Sequence, residues 1–468
     1  MGAVSPSAAE ASSSTVAADV PRTLEEGPPP RLLGLADQLA LWGNLAISLL
    51  VLVSAGLILA PDPALPRLSP LAALVAIAVG AVLGNLLLGL AAVPGAETGA
   101  PGMVLLRGLL GRRGSLAPTV CNVVQLVGWT VFELVIIAES AARLTSESLR
   151  PVYVVVGGVL ATLMTIRPLG TVRGYLKRVA VWVVLVSTAY LFIQVLRRPL
   201  PPLAEGSWAA FWKGADIVVA LAISWAPLAA DYSRHARSAA SAFWGAFLGY
   251  GVASAAFFAL GVLAHLAYAG TGGVAGQTDV IGALLAIPAG GIALLVLVVD
   301  ELDEAFADLY STVVSVQNAN PRLDRRALAV GIGALSTVLA LVLDIVAYES
   351  FLLLIGSVFV PLVGAFAVDY YLLRRHAWDV GGQARPRLRM LIPWAAGFVA
   401  YQLVNPGQVT AWAGFWTARQ ADLGFTPPAW LSASLASLVV AAVVALAVGL
   451  PGRRRALSAP PARRSPRR

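Results

Sequence analysis

Apolar stretches that approach or exceed the length of a bilayer crossing recur along the chain from residue 36 to residue 450. A helix needs about 20 mostly apolar residues to cross the hydrocarbon core of a membrane. We therefore predict twelve transmembrane helices, of which the fourth and the eleventh are short. The predicted spans are 36–59, 69–93, 116–140, 152–167, 179–196, 214–231, 242–267, 283–313, 327–346, 349–373, 391–404 and 431–450.

The segments outside and between these spans suggest a division of the chain. Residues 1–34 are rich in Ala, Ser, Pro and Glu and lack the apolar core of a cleavable signal peptide, so we expect a disordered cytoplasmic tail. We expect residues 451–468 to form an unstructured basic tail in the cytoplasm. Between the tails we expect a five-helix repeat at 35–198, a second at 208–375, and helices 11 and 12 within 388–450. An odd number of spans per repeat inverts the second repeat relative to the first.

The overall composition agrees with a membrane protein. Hydrophobic residues make up 58% of the 468 residues and charged residues only 12%, and the mean hydropathy is +0.79. Soluble domains carry about 25% charged residues, so this chain cannot cover a water-facing surface of its size. The predicted class is an all-α polytopic membrane protein.

The net charge of +8 is explained by topology. If the N-terminus lies inside, 26 of the 33 Lys and Arg residues fall in the tails and loops of the inner side, as the positive-inside rule requires. We therefore expect both termini in the cytoplasm, basic loops facing lipid head groups, and no nucleic-acid partner. The 31 Arg against 2 Lys residues suggest a GC-rich bacterial genome, hence a bacterial inner membrane.

The sequence has too few cysteines and histidines for an internal disulfide or for a metal site built from these residues. The only cysteine, Cys121, has no disulfide partner, and three scattered histidines form no cluster for a metal. We expect no catalytic residues, no metal site of that kind and no cofactor other than a coupling ion.

Five carboxyl groups interrupt the eighth predicted span, and they are the strongest local signal. Facing lipid, they would cost more than about 10 kcal/mol, so this helix must face protein or water. At 100° per residue, Glu301, Glu304 and Asp308 share one face, with the other two on its flank. The alternative is that Asp300 and Glu301 lie at a wet entrance and are only solvated. The five residues are Asp300, Glu301, Asp303, Glu304 and Asp308.

The third span holds a second polar group. Gln125, Trp129 and Glu133 follow one another at intervals of four residues, so they lie on one helix face. An indole ring beside a hydrogen-bonding group suits a flat polar ring, which would stack on one and be oriented by the other. The alternative is a tryptophan that only packs in the core, but a buried carboxyl at Glu133 requires a partner.

Two spans carry residues that disturb a helix. Pro227 lies inside the sixth span and predicts a break near Trp225–Pro227, because proline removes a backbone donor and clashes with the preceding turn. The first span contains Gly43, Asn44 and Ser48, where an unwound stretch is expected from the symmetry of the two repeats.

Four stretches together resemble the nucleobase/cation symporter family, which includes cytosine permeases, purine and hydantoin transporters, and hydroxymethylpyrimidine transporters. The resemblance covers about 31–404. It implies a leucine-transporter-like fold of two inverted five-helix repeats plus two helices, and cotransport of a planar heterocycle with sodium or protons. The stretches are GWTVFELVI, ISWAPLAADYSRHARSAASAFWGAFLGY, FADLYSTVVSVQN and ESFLLLIGSVFVPLVGAFAVDYYLLRR.

The resemblance also implies roles for residues. Trp129 would stack on the substrate, while Glu133 and Asp308 would bind it. Trp225, which does not align cleanly with the family's helix 6 tryptophan, and Ser224 are further candidates. Gln125 completes the predicted substrate site.

For the coupling ion, the resemblance points to the first and eighth spans. Asn44 and Ala46 lie where the first span should unwind, and Asp303 and Glu304 lie on the eighth. Sodium-dependent members have hydroxyl side chains at the positions of Leu302 and Asp303. A carboxylate at Asp303 would instead carry a proton or bind sodium as an anionic ligand, and both readings stay open.

The expected function is import of a planar nitrogen heterocycle. A protonated carboxyl offers a donor beside an acceptor and matches a ring nitrogen next to an exocyclic amine, which favours cytosine, purines or aminopyrimidines over uracil. One alternative is a transporter of the same fold for amino acids. The other is an intramembrane Mg²⁺-dependent prenyltransferase-like enzyme, which is disfavoured because a second acidic motif and basic residues are missing. The oligomeric state stays open, and a monomer suffices.

Overall fold

The computed structural model describes residues 22–62, 64–167, 181–268, 279–343 and 348–458. Within these ranges the chain is helical, and the β-bridges are two isolated pairs. The α-helices are α1 (Leu35–Asn44), α2 (Leu49–Leu59), α3 (Pro70–Thr98), α4 (Gly102–Gly114), α5 (Leu116–Leu144), α6 (Arg150–Ile166), α7 (Val181–Leu196), α8 (Phe211–Ser224), α9 (Ala229–Ser233), α10 (Ala239–Trp244), α11 (Gly251–Tyr268), α12 (Asp279–Leu285), α13 (Gly290–Ala319), α14 (Arg325–Val342), α15 (Tyr348–Ala367), α16 (Leu391–Val404), α17 (Thr410–Asp422) and α18 (Ala433–Ser458).

Each of the twelve predicted spans has a helical counterpart in the described part of the chain. By length and composition, eight helices there are able to cross a membrane, and the bent pair α1–α2 makes a ninth. The other three counterparts are the short apolar helices α7 and α16 and the acid-bearing α13. Side chains such as Val159 and Leu163 on α6 are more than half exposed, so this face needs lipid around it.

The first span is broken, as expected from the symmetry of the two repeats. α1 and α2 meet at an angle of 62°. The Ser48 side chain caps α2 by accepting a hydrogen bond from the backbone N–H of Leu50 at 3.0 Å. The break leaves backbone groups at the C-terminal end of α1 and at the N-terminal end of α2 without partners in their own helices, so side chains inside the protein can bond to them.

The sixth span is broken as well. α8 ends at Ser224, a 3₁₀ turn follows at Ala226–Leu228 around Pro227, and α9 resumes at Ala229. The predicted break near Trp225–Pro227 is confirmed. Both breaks occur in the first span of their respective predicted repeats.

The helices pack in two groups. The broken spans α1–α2 and α8–α9 pack with α3 and α10–α11, and we call this group the bundle. α5, α6, α13 and α14 pack with one another, and we call them the scaffold. Within the bundle, α3 lies close to α8 because Gly84 has no side chain; a Cβ there would come within 2.8 Å of the Ala222 Cβ.

Some sequence expectations are corrected by the fold. The segment expected to be a loop between the second and third spans contains α4, and α17 lies between the last two spans. The eighth span is preceded by a separate short helix, α12, because Ala289 adopts a left-handed conformation (φ 55°) that ends helical geometry before α13.

The tails also differ from expectation. Residues 22–34 were expected to be disordered, but they pack on the protein: the Leu33 N–H donates to the His235 carbonyl at 2.9 Å, and the Leu24 N–H donates to the Pro321 carbonyl at 3.1 Å. Residues 1–21 lie outside the described residues. At the other end, α18 continues to Ser458, into the segment expected to be an unstructured tail.

Candidate functional site

A small cavity lies where the two broken spans meet α5 and α13. Its volume is about 10 Å³, which is room for about one water molecule. A heterocyclic ring therefore requires the surrounding side chains to move. The lining residues are Ser48, Leu50, Val51, Trp129, Glu133, Leu221, Ser224, Trp225, Leu228, Tyr250, Glu304 and Asp308.

Aromatic side chains form much of the wall. Trp129 projects from α5, and Tyr348 and Phe351 of α15 pack edge-on against it with ring centroids 5.8 and 5.4 Å away. Trp225 lies at the second break, and its ring centroid is 5.9 Å from that of Tyr250. These contacts fix the orientation of both indoles and leave ring surface at the cavity.

Three buried carboxyl groups form what we call the inner cluster: Glu133, Glu301 and Glu304. One oxygen from each lies within 4.8 Å of the others, close enough to hold a cation between them. The Glu301 carboxylate also accepts hydrogen bonds from the Ser48 hydroxyl at 2.9 Å and from the Leu49 N–H at 2.7 Å. It thereby pairs with the positive end of α2 at the break.

Two further carboxyl groups form the outer cluster with Asn44. The Asn44 side-chain amide donates to Asp300 at 2.8 Å and to Asp303 at 2.7 Å. These bonds connect the end of α1 with α13, and all three side chains are at most 1% exposed. Because a single amide group donates to both carboxyl groups, the negative charge of the cluster must also be neutralised by a proton or a cation.

The structure brings most of the predicted site residues together. Trp129, Glu133, Ser224, Trp225, Glu304 and Asp308 line the cavity, and Asn44 and Asp303 meet in the outer cluster.

Two predicted residues lie apart from the lining. The Gln125 amide donates to the Asn122 side chain at 2.8 Å and to the Ser224 carbonyl at 3.3 Å, so it supports the second break. Ala46 is fully buried in the first break.

The solvated reading of Asp300 and Glu301 is wrong. Their side chains are 1% and 0% exposed, and both bond to the broken first span. The physical reason is that the break supplies donors, which a continuous helix would have consumed internally.

Sequence reasoning missed Ser48 and Tyr250 as wall residues and Glu301 as a capping group. For Ser48 the signal was present, because serine is a preferred N-cap and stood in the stretch expected to unwind. For Tyr250 the sequence carries no local signal. Tyr250 is the last residue of a π-helical segment, Gly245–Tyr250, that directly precedes α11, and only packing brings its side chain to the cavity.

Solved structures share this architecture. The chain is similar to Mhp1, a nucleobase-cation-symport-1 family transporter, in a closed conformation with bromovinylhydantoin bound (TM-score 0.70, 17% identity, 94% of this chain and 95% of that chain). An inward-facing conformation of Mhp1 gives a TM-score of 0.64 at 19% identity, covering 94% and 93%. MhsT in complex with L-phenylalanine gives 0.53 at 16% identity, covering 89% and 98%.

Two broken spans around a central cavity, together with the likeness to these structures, show the predicted leucine-transporter-like fold. The family model described as permease for cytosine/purines, uracil, thiamine, allantoin matches residues 30–385. The chain belongs to this permease family, so the predicted resemblance is confirmed and the enzyme alternative is set aside. No curated protein sequence matches the chain significantly.

Proposed function

We propose that this permease imports a planar nitrogen heterocycle together with a coupling ion. The observation that carries the proposal is the cavity between the two breaks, where Trp129 offers an aromatic face and Glu133 and Asp308 offer hydrogen-bonding groups. Stacking would supply affinity, and the polar groups would orient the ring. Trp225, Ser224 and Gln125 complete or support this substrate site.

The substrate class follows from the donors and acceptors. The inner cluster and Asp308 provide carboxyl groups, which match a ring nitrogen next to an exocyclic amine when protonated. Cytosine, purines and aminopyrimidines are therefore our candidates. Family membership favours such heterocycles over amino acids, and the bromovinylhydantoin bound to Mhp1 is itself a ring compound.

The coupling ion is proposed to bind at the outer cluster. Asn44 and Asp303 connect the broken first span with α13, so an ion there would link the bundle to the scaffold. Ala46 would contribute a backbone carbonyl from the same break, and Glu304 lies one residue further along α13. A sialic acid symporter of similar structure (TM-score 0.50, 11% identity, 92% of this chain and 99% of that chain) is described as Na⁺-coupled. Either sodium or a proton would satisfy the charge of the cluster.

Transport is proposed to occur by alternating access. The bundle and the scaffold enclose the cavity, and α15 covers Trp129 from one side through Tyr348 and Phe351. Substrate and ion would favour whichever arrangement binds them more tightly, and so shift the population between open states. We place the two repeats at 35–198 and 208–375.

We propose that the chain lies in a bacterial inner membrane. Both termini would be cytoplasmic, because the basic residues then lie on the inner side. The last two predicted spans, within 388–450, would lie outside both repeats. A monomer contains the whole proposed site.

Uptake by proteoliposomes tests the proposed function. We expect accumulation of at least one of cytosine, adenine, guanine or an aminopyrimidine under an imposed sodium or pH gradient, and no accumulation of neutral amino acids. Accumulation of amino acids without any heterocycle would refute the proposal.

The coupling site has its own test. Asp303→Asn keeps the shape of the side chain but removes its charge, so we expect uptake to lose its dependence on the driving gradient while substrate binding persists. Uptake would be compared under a sodium gradient alone and a pH gradient alone. If the Asn variant responds to the same gradient as the wild type, Asp303 is not the coupling residue.

A further inference from the structure

The cavity is surrounded by acidic side chains without basic ones. Glu133, Glu304 and Asp308 line it, and Glu301 lies within 4.8 Å of the first two. Five segments surround the cavity, and none of them contains Lys or Arg. These segments are 35–59, 116–142, 214–233, 239–268 and 290–319. The protein therefore supplies no cationic side chain from these segments to neutralise the carboxyl groups.

Two oxygens of these carboxyl groups also lack donors. Oε2 of Glu133 and Oε1 of Glu304 have no hydrogen-bond partner, although the two residues are only 1% and 5% exposed. A buried carboxyl oxygen without a donor is costly, because it has given up its bonds to water. Since both residues line the cavity, a donor that enters the cavity would satisfy them.

The remaining wall also suits a positive charge. Trp129, Trp225 and Tyr250 line the same small space. Aromatic faces attract cations, and aromatic cages bind organic ammonium groups for this reason. Unpaired carboxyl oxygens and indole rings thus favour the same kind of ligand.

We infer that the transported ring is itself a cation, carrying its positive charge on a ring nitrogen, and that Glu133 and Glu304 neutralise this charge in the cavity. The inference rests on the proposed function and narrows its substrate class. Two positive charges would then bind at different places: the charge of the substrate is neutralised by the inner cluster, and that of the coupling ion by the outer cluster. The family description names neutral rings such as cytosine and uracil and also thiamine, whose thiazolium ring carries a fixed positive charge, and the inference assigns this chain to substrates of the charged kind.

Matched pairs of ligands test the inference on the purified full-length protein. Each pair would contain a neutral ring and its N-methyl cation: nicotinamide with 1-methylnicotinamide, and 1-methylcytosine with 1,3-dimethylcytosinium, which is cationic near neutral pH. Dissociation constants would be measured at one pH and one sodium concentration. We expect the cation of at least one pair to bind tenfold or more tightly than its neutral partner.

The outcomes separate the two claims. If neutral rings, including the nucleobases, bind as tightly as the cations or more tightly, the inference is wrong and the proposed function stands. If neither cations nor any neutral heterocycle binds, both are wrong.

Two variants identify the residues responsible. Glu133→Gln and Glu304→Gln keep the side-chain shape and remove the charge, so each should weaken cation binding tenfold or more and weaken binding of the neutral ring by a clearly smaller factor. Glu139→Gln is the matched control on α5, because Glu139 faces Arg150 at 3.9 Å and does not line the cavity. Equal losses for both ligands, or the same loss in the control, would contradict the inference. Size-exclusion profiles and thermal unfolding test whether the variants fold. If a variant does not fold, the comparison of cation and neutral ring on the wild-type protein still tests the inference.

Discussion

At the scale of single residues, Trp129 shows how position in the fold gives a common side chain a specific role. Tryptophan occurs twelve times in the chain, and some of these side chains, such as Trp182 and Trp430, are more than half exposed. Trp129 differs because α15 packs edge-on against it while part of its ring lines the cavity. The spacing to Glu133 was visible in the sequence, but the contacts that fix the indole come from residues more than 200 positions away.

Replacing Trp129 with alanine is expected to weaken heterocycle binding roughly tenfold or more, because stacking on an aromatic side chain is worth about 1–3 kcal/mol. Equilibrium binding to purified protein measures the effect. Trp182→Ala is the control, since that indole is 65% exposed on the outer surface of α7. Unchanged binding in the Trp129 variant would refute the assignment of the substrate site.

At the scale of elements, the break between α1 and α2 connects the inner and outer clusters. Ser48 caps α2 and also donates to Glu301, while Asn44 at the end of α1 donates to Asp300 and Asp303. The break is therefore held by carboxyl groups of α13. A change in their charge state would be transmitted to the broken span, which is a physical route from ion binding to bundle movement.

Ser48→Ala is expected to lower stability by about 1 kcal/mol through loss of the N-cap, and in addition to alter the dependence of substrate binding on sodium or pH, because Glu301 loses a donor. Thermal unfolding and binding at several ion concentrations measure the two effects. Ser69→Ala is the matched control: Ser69 caps α3 through the Ala72 N–H at 3.1 Å, away from the cavity. If both variants shift the ion dependence equally, the break has no special role.

At the scale of the whole molecule, residues 22–34 connect the bundle with the scaffold on one face. The Arg22 carbonyl accepts from the Arg325 N–H at 3.0 Å, next to the scaffold helix α14. Leu33 pairs with the chain after α9, where its N–H donates to His235 and its carbonyl accepts from Arg237, both at 2.9 Å. Because one short segment contacts both groups, movement of one against the other must strain or release it.

Deleting residues 1–33 is therefore expected to favour opening on this side. A cysteine at the fully buried Ala307, in a Cys121→Ser background, would report the change as faster labelling by a maleimide. Deleting only residues 1–21 is the control, because it leaves the contacts of Arg22 and Leu33 in place. Equal labelling in the two truncations would show that the segment does not restrain opening.

Much of the architecture could be predicted from the sequence, because hydrophobic length and charge asymmetry are local properties. The break at Pro227 follows from the backbone donor that proline lacks and from its clash with the preceding turn. The spans and the buried position of the acids on the eighth span follow from the cost of placing polar groups in lipid. Residues 22–34 and α4 were misjudged for the same reason: they lie in segments without a strong hydrophobic pattern, and tertiary contacts hold them.

By itself, then, the sequence determined a polytopic helical protein, its family and the helices that carry its polar groups. Only the tertiary structure decided which polar groups meet: Glu301 with the start of α2, Asn44 with two aspartates, and Glu133 with Glu301 and Glu304. The reason is physical. Burial of an acid follows from its own helix, but its partners come from helices more than 150 residues away, whose register is set by packing.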